Sequence, residues 1–456
     1  MKIKRFTAVF TAFLIIISSL CSFSASALLF NPGISLQSEA VYMINLDRDV
    51  TVYEKNSDKK MYPASLTKIM TAIVVLDNID PDKMDSTYFE APLAVFDDLY
   101  QTGALTVGYS KGEKVSVSDL MYSMLVYSAC ESAGILAYNV GGESIPNFVD
   151  MMNKKAEEIG CVGTHFVNPH GLHDRNQYTN AADMAKIAKY AVENYPEFKK
   201  IACTEGYTLG ATNMHEDGWM TITHSNKMMN PASEYYYEYA MGIKTGTTDE
   251  SGRNLISMAQ KDGSTYLLVT MGAPLYDDEG YNSYGNFEDQ IKLYDWAFNT
   301  LAYQQIIPAD KEITEITVNM GSGTDFVRLV TAESKSMLWS KEIDVGKLGQ
   351  VITTEGFTNE DGTVTAPVEK GQKLGTYTLT LNGEEIASVD LVAQESVSLS
   401  IMEYNAYKAK QFFGSGWFKA AVVIALMLVA AYVTAVVMSG RKKKRRLKRV
   451  NKRRKF

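Results

Sequence analysis

The segment Pro63-Ala64-Ser65-Leu66-Thr67-Lys68-Ile69-Met70 decides how the rest of the chain is interpreted. It predicts the start of a buried helix, because proline is favoured at a helix entry and an apolar run follows. Residues three apart share one helix face, so Ser65 and Lys68 are expected side by side. A serine hydroxyl becomes a nucleophile when a base takes its proton, and Lys68 is the candidate base. Because Ser-x-x-Lys is short enough to occur by chance, the catalytic interpretation depends on the downstream motifs.

Charge is unevenly distributed along the 456 residues. The chain is 46% hydrophobic, enough for more than one packed core, and its formal net charge is −8. Three basic residues precede an apolar stretch at 6–20 and small residues up to Ala27, which predicts a signal peptide at 1–27. A second basic block lies at the far end, where Arg441–Lys455 contains twelve Lys and Arg and no acid.

Residues 417–439 are long and apolar enough to predict a transmembrane helix. The basic tail at 440–456 follows at once, so the positive-inside rule places that tail in the cytoplasm and the body outside. A tail that binds nucleic acid is the alternative, but beside a membrane span the charge is better explained by topology and attraction to anionic lipid. We therefore expect a single-pass protein of the cell membrane with an extracytoplasmic catalytic body and no nucleic-acid partner.

Patterning predicts two folded domains between the signal and the span. Residues 28–307 combine a strand hairpin at 40–54, helices from 64 to 205, strands near 242–245, 254–259 and 266–271, and a helix at about 288–303. Within the helical part, 115–140 reads as a helix pair, and 145–159 and 181–192 as amphipathic helices. Strands around a helical insert suggest a sheet covered by helices. Residues 308–400 show short β-rich segments separated by turns, which predicts a small all-β domain, and 401–416 is expected to be a juxtamembrane linker.

Two further motifs carry candidate chemistry. Lys244-Thr245-Gly246-Thr247 falls on a predicted strand, where Lys244 and the hydroxyl of Thr245 would bind a substrate carboxylate. Gly246 permits close approach of a backbone, and the N–H groups of Thr247 and Ser65 would form an oxyanion hole. In Ser128-Ala129-Cys130, Ser128 is expected to relay a proton between Lys68 and the leaving amine.

Together these motifs resemble those of penicillin-binding proteins and class A β-lactamases. The likeness is closer to the low-molecular-mass D-alanyl-D-alanine carboxypeptidases, and it covers about residues 38–400. Further matching segments are Gly163–Leu172, Ser225–Met229, Gly242–Gly252 and Ala366–Gln372.

The resemblance implies an α/β (α+β) catalytic domain of the serine β-lactamase and penicillin-binding-protein type, with a small all-β C-terminal domain. It implies that Ser65 attacks the bond between the last two D-alanines of a peptidoglycan stem peptide and forms an acyl-enzyme. Lys68 would be the general base and Ser128 the proton relay; Lys244, Thr245, Gly246, Thr247 and Cys130 would contact the substrate. β-Lactam antibiotics would acylate the same serine, and neither a cofactor nor a metal is expected.

Two departures from the family pattern stand out. Cys130 occupies the place of the usual asparagine, and a thiol is a weaker donor and acceptor than an amide. It is interpreted either as a substrate contact or as a small buried residue. The family's arginine after the third motif is also missing, since no Lys or Arg lies between Asp262 and Ile291. Lys244 and Thr245 would then bind the terminal carboxylate alone, or Arg253 would substitute.

A metal site and three other activities are alternative interpretations of these residues. His165, His170, His173 and Asp174 invite a metal site, but their spacing is loose and a structural loop is favoured. A D,D-endopeptidase that cuts cross-links with the same serine is one alternative to the carboxypeptidase. A catalytically weak sensor that binds penicillin or peptidoglycan is another. A β-lactamase is disfavoured, because no motif supplies a carboxylate for rapid deacylation.

Overall fold

The computed structural model describes residues 30–453, and the surroundings of side chains up to residue 446. The predicted signal peptide at 1–27 therefore lies outside the described residues. The chain divides into two compact units. Unit 1 runs to Gln304 and includes Met337–Lys347, whereas unit 2 consists of Gln305–Ser336 and the chain from Leu348 onward.

Unit 1 mixes strands and helices. In chain order its strands are β1 (Ala40–Asn45), β2 (Val50–Lys55), β3 (Tyr88–Glu90), β4 (Lys114–Ser116), β5 (Gly206–Thr208), β6 (Thr221–Thr223), β7 (Ala240–Thr248), β8 (Gly252–Lys261), β9 (Ser264–Ala273) and β10 (Leu301–Ile307), which runs into unit 2. Its α-helices are α1 (Thr67–Asn78), α2 (Leu93–Leu99), α3 (Val117–Tyr122), α4 (Cys130–Val140), α5 (Ile145–Ile159), α6 (Ala181–Asn194), α7 (Pro196–Ala202) and α8 (Gly285–Thr300).

A five-stranded antiparallel sheet in the order β2-β1-β9-β8-β7 forms the centre of unit 1. The predicted hairpin is confirmed as β1 and β2, and the three predicted strand runs lie within β7, β8 and β9. Strand β9 is buried along nearly its whole length, which explains its continuous apolar sequence. Strand β7 lies at one edge of the sheet and packs against the turn that carries Ser65.

Helix α1 is the buried helix that the apolar run predicts. Its residues from Thr67 to Leu76 are all buried, so it has no wet face. Helix α5 is instead amphipathic, with only Phe148, Met152 and Ala156 buried, four residues apart along one stripe. The predicted bounds of α5 are confirmed: the Ser144 hydroxyl accepts the Asn147 N–H at its start, and a left-handed glycine ends it.

The prediction that Ser65 opens an α-helix is wrong by two residues. Ser65 lies in a single 3-10 turn, Ala64–Leu66, and α1 begins at Thr67. Ala64 has a φ of +48°, outside the right-handed helical region, so the α-helical path cannot start before it. The Thr67 hydroxyl donates to the Ala64 carbonyl at 2.8 Å and holds this turn against the helix.

The helix pair predicted for 115–140 is confirmed within 117–140, and its break lies at Ser128. The segment starts in strand β4, continues as α3 and a π-helical turn at Ser123–Tyr127, and resumes as α4 only at Cys130. Between them, Ser128 has a φ of +80°, a left-handed conformation that no right-handed helix can include. The helix predicted at 288–303 ends at Thr300, where the backbone turns into β10.

Unit 2 contains an all-β sheet followed by two helices. Its strands are β11 (Glu312–Asn319), β12 (Phe326–Thr331), β13 (Lys335–Ser340, which runs into unit 1 and pairs with β10), β14 (Gly349–Thr353), β15 (Val364–Thr365), β16 (Lys373–Leu381) and β17 (Glu384–Ala393). Six of them pair in the order β14-β16-β17-β12-β11-β15. On β17 the buried residues are Ala387, Val389, Leu391 and Ala393, at alternating positions, as the pattern predicts for a one-sided sheet.

The predicted linker at 401–416 is a helix, α9 (Ile401–Gly414), capped by the Ser400 hydroxyl. The next helix, α10 (Gly416–Arg453), includes both the predicted span and most of the basic tail. Among the described residues, one helix is long and apolar enough to cross a membrane; it covers Gly416–Arg446 and reaches a mean hydropathy of 2.7.

Replacing Asn254 should destabilise unit 1. Its buried amide donates to the Tyr62 and Pro63 carbonyls at 2.9 and 3.2 Å and accepts the Gly272 N–H at 2.9 Å. Asn254→Ala leaves these buried groups unpaired, so we expect the free energy of unfolding to fall by about 2–3 kcal/mol. Urea denaturation of the full chain in detergent measures the change.

The matched control is Asn194→Ala, which removes one exposed hydrogen bond to the Tyr190 carbonyl. Its unfolding free energy should change by less than about 0.5 kcal/mol. Equal losses in the two variants would show that Asn254 does not tie the sheet to the Ser65 turn.

Candidate active site

The side chain of Lys68 is fully buried and meets three groups from different parts of the chain. Its Nζ lies 3.0 Å from Ser65 Oγ and 3.4 Å from Cys130 Sγ. It also donates to the His170 carbonyl oxygen at 2.6 Å. The predicted pairing of Ser65 with Lys68 is present in the geometry, and the spacing of three residues across the turn and α1 produces it.

The loop that leads into α6 places a backbone carbonyl against the amine of Lys68. The buried His170 ring binds Asp98 through Nε2 at 2.9 Å and accepts the Leu172 N–H through Nδ1 at 3.2 Å. Burial lowers the pKa of His170, although the hydrogen bond to Asp98 opposes that shift. The Thr71 hydroxyl donates to the Pro169 carbonyl at 2.6 Å. The loop is therefore fixed to α1, and its role toward Lys68 is that of a carbonyl acceptor.

The histidines of this loop do not converge on one point. His165 Nδ1 lies 2.7 Å from the Asn176 carbonyl, while His173 Nδ1 faces Glu250 at 3.8 Å. Within residues 30–446, no group of three His, Cys, Asp or Glu side chains is placed to hold a metal ion. The geometry gives each histidine a separate structural contact.

Strand β7 brings a second buried amine to the site. Lys244 is fully buried, and its Nζ donates to the Thr245 carbonyl at 3.1 Å. Burial, and next the positive charge of Lys68, hold the pKa of Lys244 well below its usual value. The Thr245 hydroxyl donates to Ser225 Oγ at 2.7 Å.

Neither buried lysine has an acidic partner. Among the described side chains, no carboxylate lies within 4.0 Å of the Nζ of Lys68 or Lys244. A buried cation without a counter-ion is unfavourable, so an anionic group of a ligand would be stabilised here.

Gly246 lets β7 approach the Ser65 turn. A Cβ at this position would lie 3.0 Å from the Pro63 carbonyl oxygen and 3.1 Å from the Ser65 nitrogen. The next residue, Thr247, is exposed at the rim and pairs in register with Arg253 on β8. The backbone of β7 at Gly246 is thus adjacent to the backbone of Ser65, as an oxyanion site requires.

Cys130 brings the start of α4 to the site, and Ser128 lies two residues before it. Ser128 is buried at the left-handed position that ends the π-helical turn. Two residues on, the Cys130 N–H donates to the Leu105 carbonyl at 2.8 Å, and its buried thiol contacts Lys68. Cys130 is therefore a small buried residue beside Lys68, and its contact with substrate stays a prediction.

Several groups that build the site were not assigned from the sequence. The His170 carbonyl accepts from Lys68, and the Asn254 amide donates to the Tyr62 and Pro63 carbonyls. Contacts that involve backbone groups cannot be predicted from a side-chain motif. Ser225 lies in one of the segments that resemble the family, and that likeness was the available signal. Gly171 has a φ of +92°, and a Cβ there would lie 1.9 Å from the Ala64 carbonyl oxygen, so a backbone packs directly against it.

Two protein-family models match this chain. A family model described as D-alanyl-D-alanine carboxypeptidase matches residues 27–275, more than half of the chain. The chain belongs to the D-alanyl-D-alanine carboxypeptidase family. A second model, described as the C-terminal domain of penicillin-binding protein 5, matches residues 302–398. The predicted family and fold class are confirmed.

Alignments with individual relatives cover most of each relative's length. The chain is 29% identical over 409 residues to D-alanyl-D-alanine carboxypeptidase DacA of Haemophilus influenzae, covering 87% of this chain and 94% of that one. The solved structure of the carboxypeptidase DacD from Francisella tularensis matches with a TM-score of 0.61 and 25% identity, covering 81% and 96%. The Streptomyces K15 DD-transpeptidase structure matches with a TM-score of 0.52 and 25% identity, covering 58% and 98%.

Substitution of Gly171 should disable this carboxypeptidase-family site. Gly171→Ala forces the Ala64–Ser65 backbone to move, because its Cβ would overlap the Ala64 carbonyl. We expect acylation by a fluorescent penicillin to slow by at least about 10-fold, since misplacement of a reacting group by about 1 Å has a larger effect.

The matched control is Gly142→Ala. Gly142 also has a positive φ, +69°, but a Cβ there meets no atom within 4 Å. It should lose only the stability that the left-handed backbone costs, about 1–2 kcal/mol, and keep its acylation rate. A normal acylation rate in Gly171→Ala would contradict the role given to this contact.

Proposed function

We propose that this chain removes the terminal D-alanine from peptidoglycan stem peptides through an acyl-enzyme on Ser65. The observation that carries the proposal is the contact of Lys68 Nζ with Ser65 Oγ at 3.0 Å inside a buried, carboxylate-free site. Family membership supplies the reaction class. The same serine is expected to be acylated by β-lactams.

The residues support a sequence of proton transfers. Lys68 in its neutral form takes the Ser65 proton as Oγ attacks the carbonyl carbon of the scissile bond. The developing oxyanion is expected between the N–H groups of Ser65 and Thr247, where Gly246 brings the two backbones together. Ser128 relays the proton to the departing D-alanine nitrogen, and water then releases the shortened peptide.

Substrate binding is assigned to strand β7. The amine of Lys244, which a bound anion would keep protonated, and the hydroxyls of Thr245 and Thr247 are expected to receive the terminal carboxylate of the stem peptide. Charge-assisted hydrogen bonds of this kind are about twice as strong as neutral ones. Cys130 stands where an amide would anchor the substrate, so the peptide is held mainly through β7 and less through α4.

One second outcome of the same acyl-enzyme has a specific observation behind it. The Streptomyces K15 enzyme that this fold matches is called a DD-transpeptidase. Transfer of the acyl group to an amine would need no change in Ser65, Lys68 or Ser128. It differs from hydrolysis only in the acceptor that reaches the ester.

The test is D-alanine release from an acyl-Lys-D-Ala-D-Ala peptide by the full chain in detergent, with and without an added amine acceptor. We expect release that is absent in Ser65→Ala, and a several-fold increase in Cys130→Asn because an amide binds better than a thiol. Transfer product in the presence of amine would favour the second outcome.

Three results separate the alternatives. Release only from a cross-linked dimer peptide would indicate an endopeptidase. Penicillin binding without turnover of any peptide would indicate a sensor. No acylation of wild-type protein that retains its fold would overturn the assignment of Ser65.

We also propose a single-pass topology, with the signal at 1–27 removed, residues 28–416 outside, the span at 417–439 and the basic tail at 440–456 in the cytoplasm. Support comes from the apolar stretch of α10 and the basic residues that follow it. A cysteine at Gln350 should react with an impermeant maleimide in intact protoplasts, whereas Asn451→Cys should react only after permeabilisation. The reverse pattern would invert the topology.

A further inference from the structure

Two cations flank one tyrosine beside the substrate strand. Lys227 Nζ lies 3.6 Å from the centre of the Tyr284 ring, and Arg253 Cζ lies 4.2 Å from it. The two charges can therefore be no farther apart than the sum of these distances. Among the described side chains neither forms an ion pair, so two positive charges stand together at the rim without compensation.

This cluster adjoins the residues proposed to bind the substrate. Arg253 pairs in register with Thr247, so the two side chains leave the same face of the sheet. Lys227 follows two residues after Ser225, whose Oγ accepts the Thr245 hydroxyl at 2.7 Å. The two cations therefore lie next to the part of β7 that is proposed to bind the substrate.

The Arg253 guanidinium is held in place with donors to spare. Its Nε donates to the Ser283 carbonyl at 2.5 Å, and one terminal nitrogen donates to Asn282 Oδ1 at 3.3 Å. A guanidinium has five N–H donors in a rigid fork, and these contacts use two. The Tyr284 ring packs against Tyr235 and Phe287, so the platform under the guanidinium is itself braced.

We propose that Arg253, seated on Tyr284 and assisted by the charge of Lys227, is the carboxylate-specificity residue of this enzyme. This inference rests on the proposed function and identifies the cation that would bind the terminal carboxylate of the substrate. The stretch from Asp262 to Ile291 contains no Lys or Arg, so no cation of that segment competes for the role. Arg253 reaches the leaving residue's carboxylate from β8, next to Thr247, and forms paired hydrogen bonds with its two oxygens.

The test uses two thioester substrates that share an acyl-D-alanyl group. One leaving group ends in a carboxylate, as thioglycolate, and the other in the methyl ester of that carboxylate. Wild type should prefer the carboxylate by its kcat/KM. In Arg253→Gln this preference should fall by about 10- to 100-fold, the range expected for hydrogen bonds between charged groups, while turnover of the ester stays near wild type.

Further variants divide folding from recognition. Arg253→Lys retains the charge without the fork, so it should recover part of the preference. Lys227→Gln should lower the preference by a smaller factor than Arg253→Gln and make it less dependent on salt. Because the ester substrate reports folding and the serine machinery in each variant, a collapsed variant is recognised by loss of both activities.

The matched control is Arg48→Gln. Arg48 also stacks on a tyrosine, Tyr303, at 4.0 Å, but at the end of the sheet near Tyr266 rather than near Ala273, which pairs with Arg253. Its substrate preference should equal that of wild type. An unchanged preference in Arg253→Gln, or no preference in wild type, would overturn this inference while leaving the acyl-enzyme intact. A wild-type chain that turns over neither thioester would overturn both proposals.

Discussion

The burial of Lys68 is the constraint on which the arrangement of the catalytic unit depends. Removing an ammonium group from water costs several kcal/mol unless polar partners replace the solvent. Here the replacement comes from the His170 carbonyl and Ser65 Oγ, with the Cys130 thiol alongside. These partners belong to three separate segments, so the lysine is satisfied only when the loop, the Ser65 turn and α4 are all in place. The folded state and the assembled site are therefore the same state.

A second consequence follows from the way charge is arranged around that lysine. Lys244 is buried nearby, and the two amines raise the electrostatic potential of the site with no carboxylate to cancel it. Because no carboxylate of the described residues lies within 4.0 Å of either amine, an anionic ligand group would find both unpaired. Lys227 and Arg253 continue this positive potential to the rim along the face of β7. Under the proposed function, this potential would attract and orient the anionic end of the peptide before any bond is made.

The backbone, rather than any single side chain, sets the distances at the centre. Gly246 and Gly171 both approach the Ser65 turn so closely that a Cβ would contact main-chain atoms. Ala64, just before α1, and Ser128, just before α4, both have a positive φ. Such conformations are individually unfavourable by about 1–3 kcal/mol, so the surrounding packing must enforce them. At the Ser65 turn, hydrogen bonds from the Asn254 amide and the Thr67 hydroxyl hold the backbone carbonyls of Tyr62, Pro63 and Ala64.

The amino-acid sequence alone was enough to predict the family, the two-domain organisation as an expectation, and the candidate residues Ser65, Lys68, Ser128 and Lys244. This was possible because the motifs are local and because the α5 stripe and the β1–β2 alternation are periodic signals. What surrounds these residues depends on long-range contacts and became visible in the folded chain. Three such contacts join residues that are 31 to 102 positions apart. They are Cys130 with Lys68, the His170 carbonyl with Lys68, and Arg253 with the Tyr284 ring. The start of α1 was mispredicted, because the backbone torsions at Ala64 and Ser65 follow long-range packing instead of local preference.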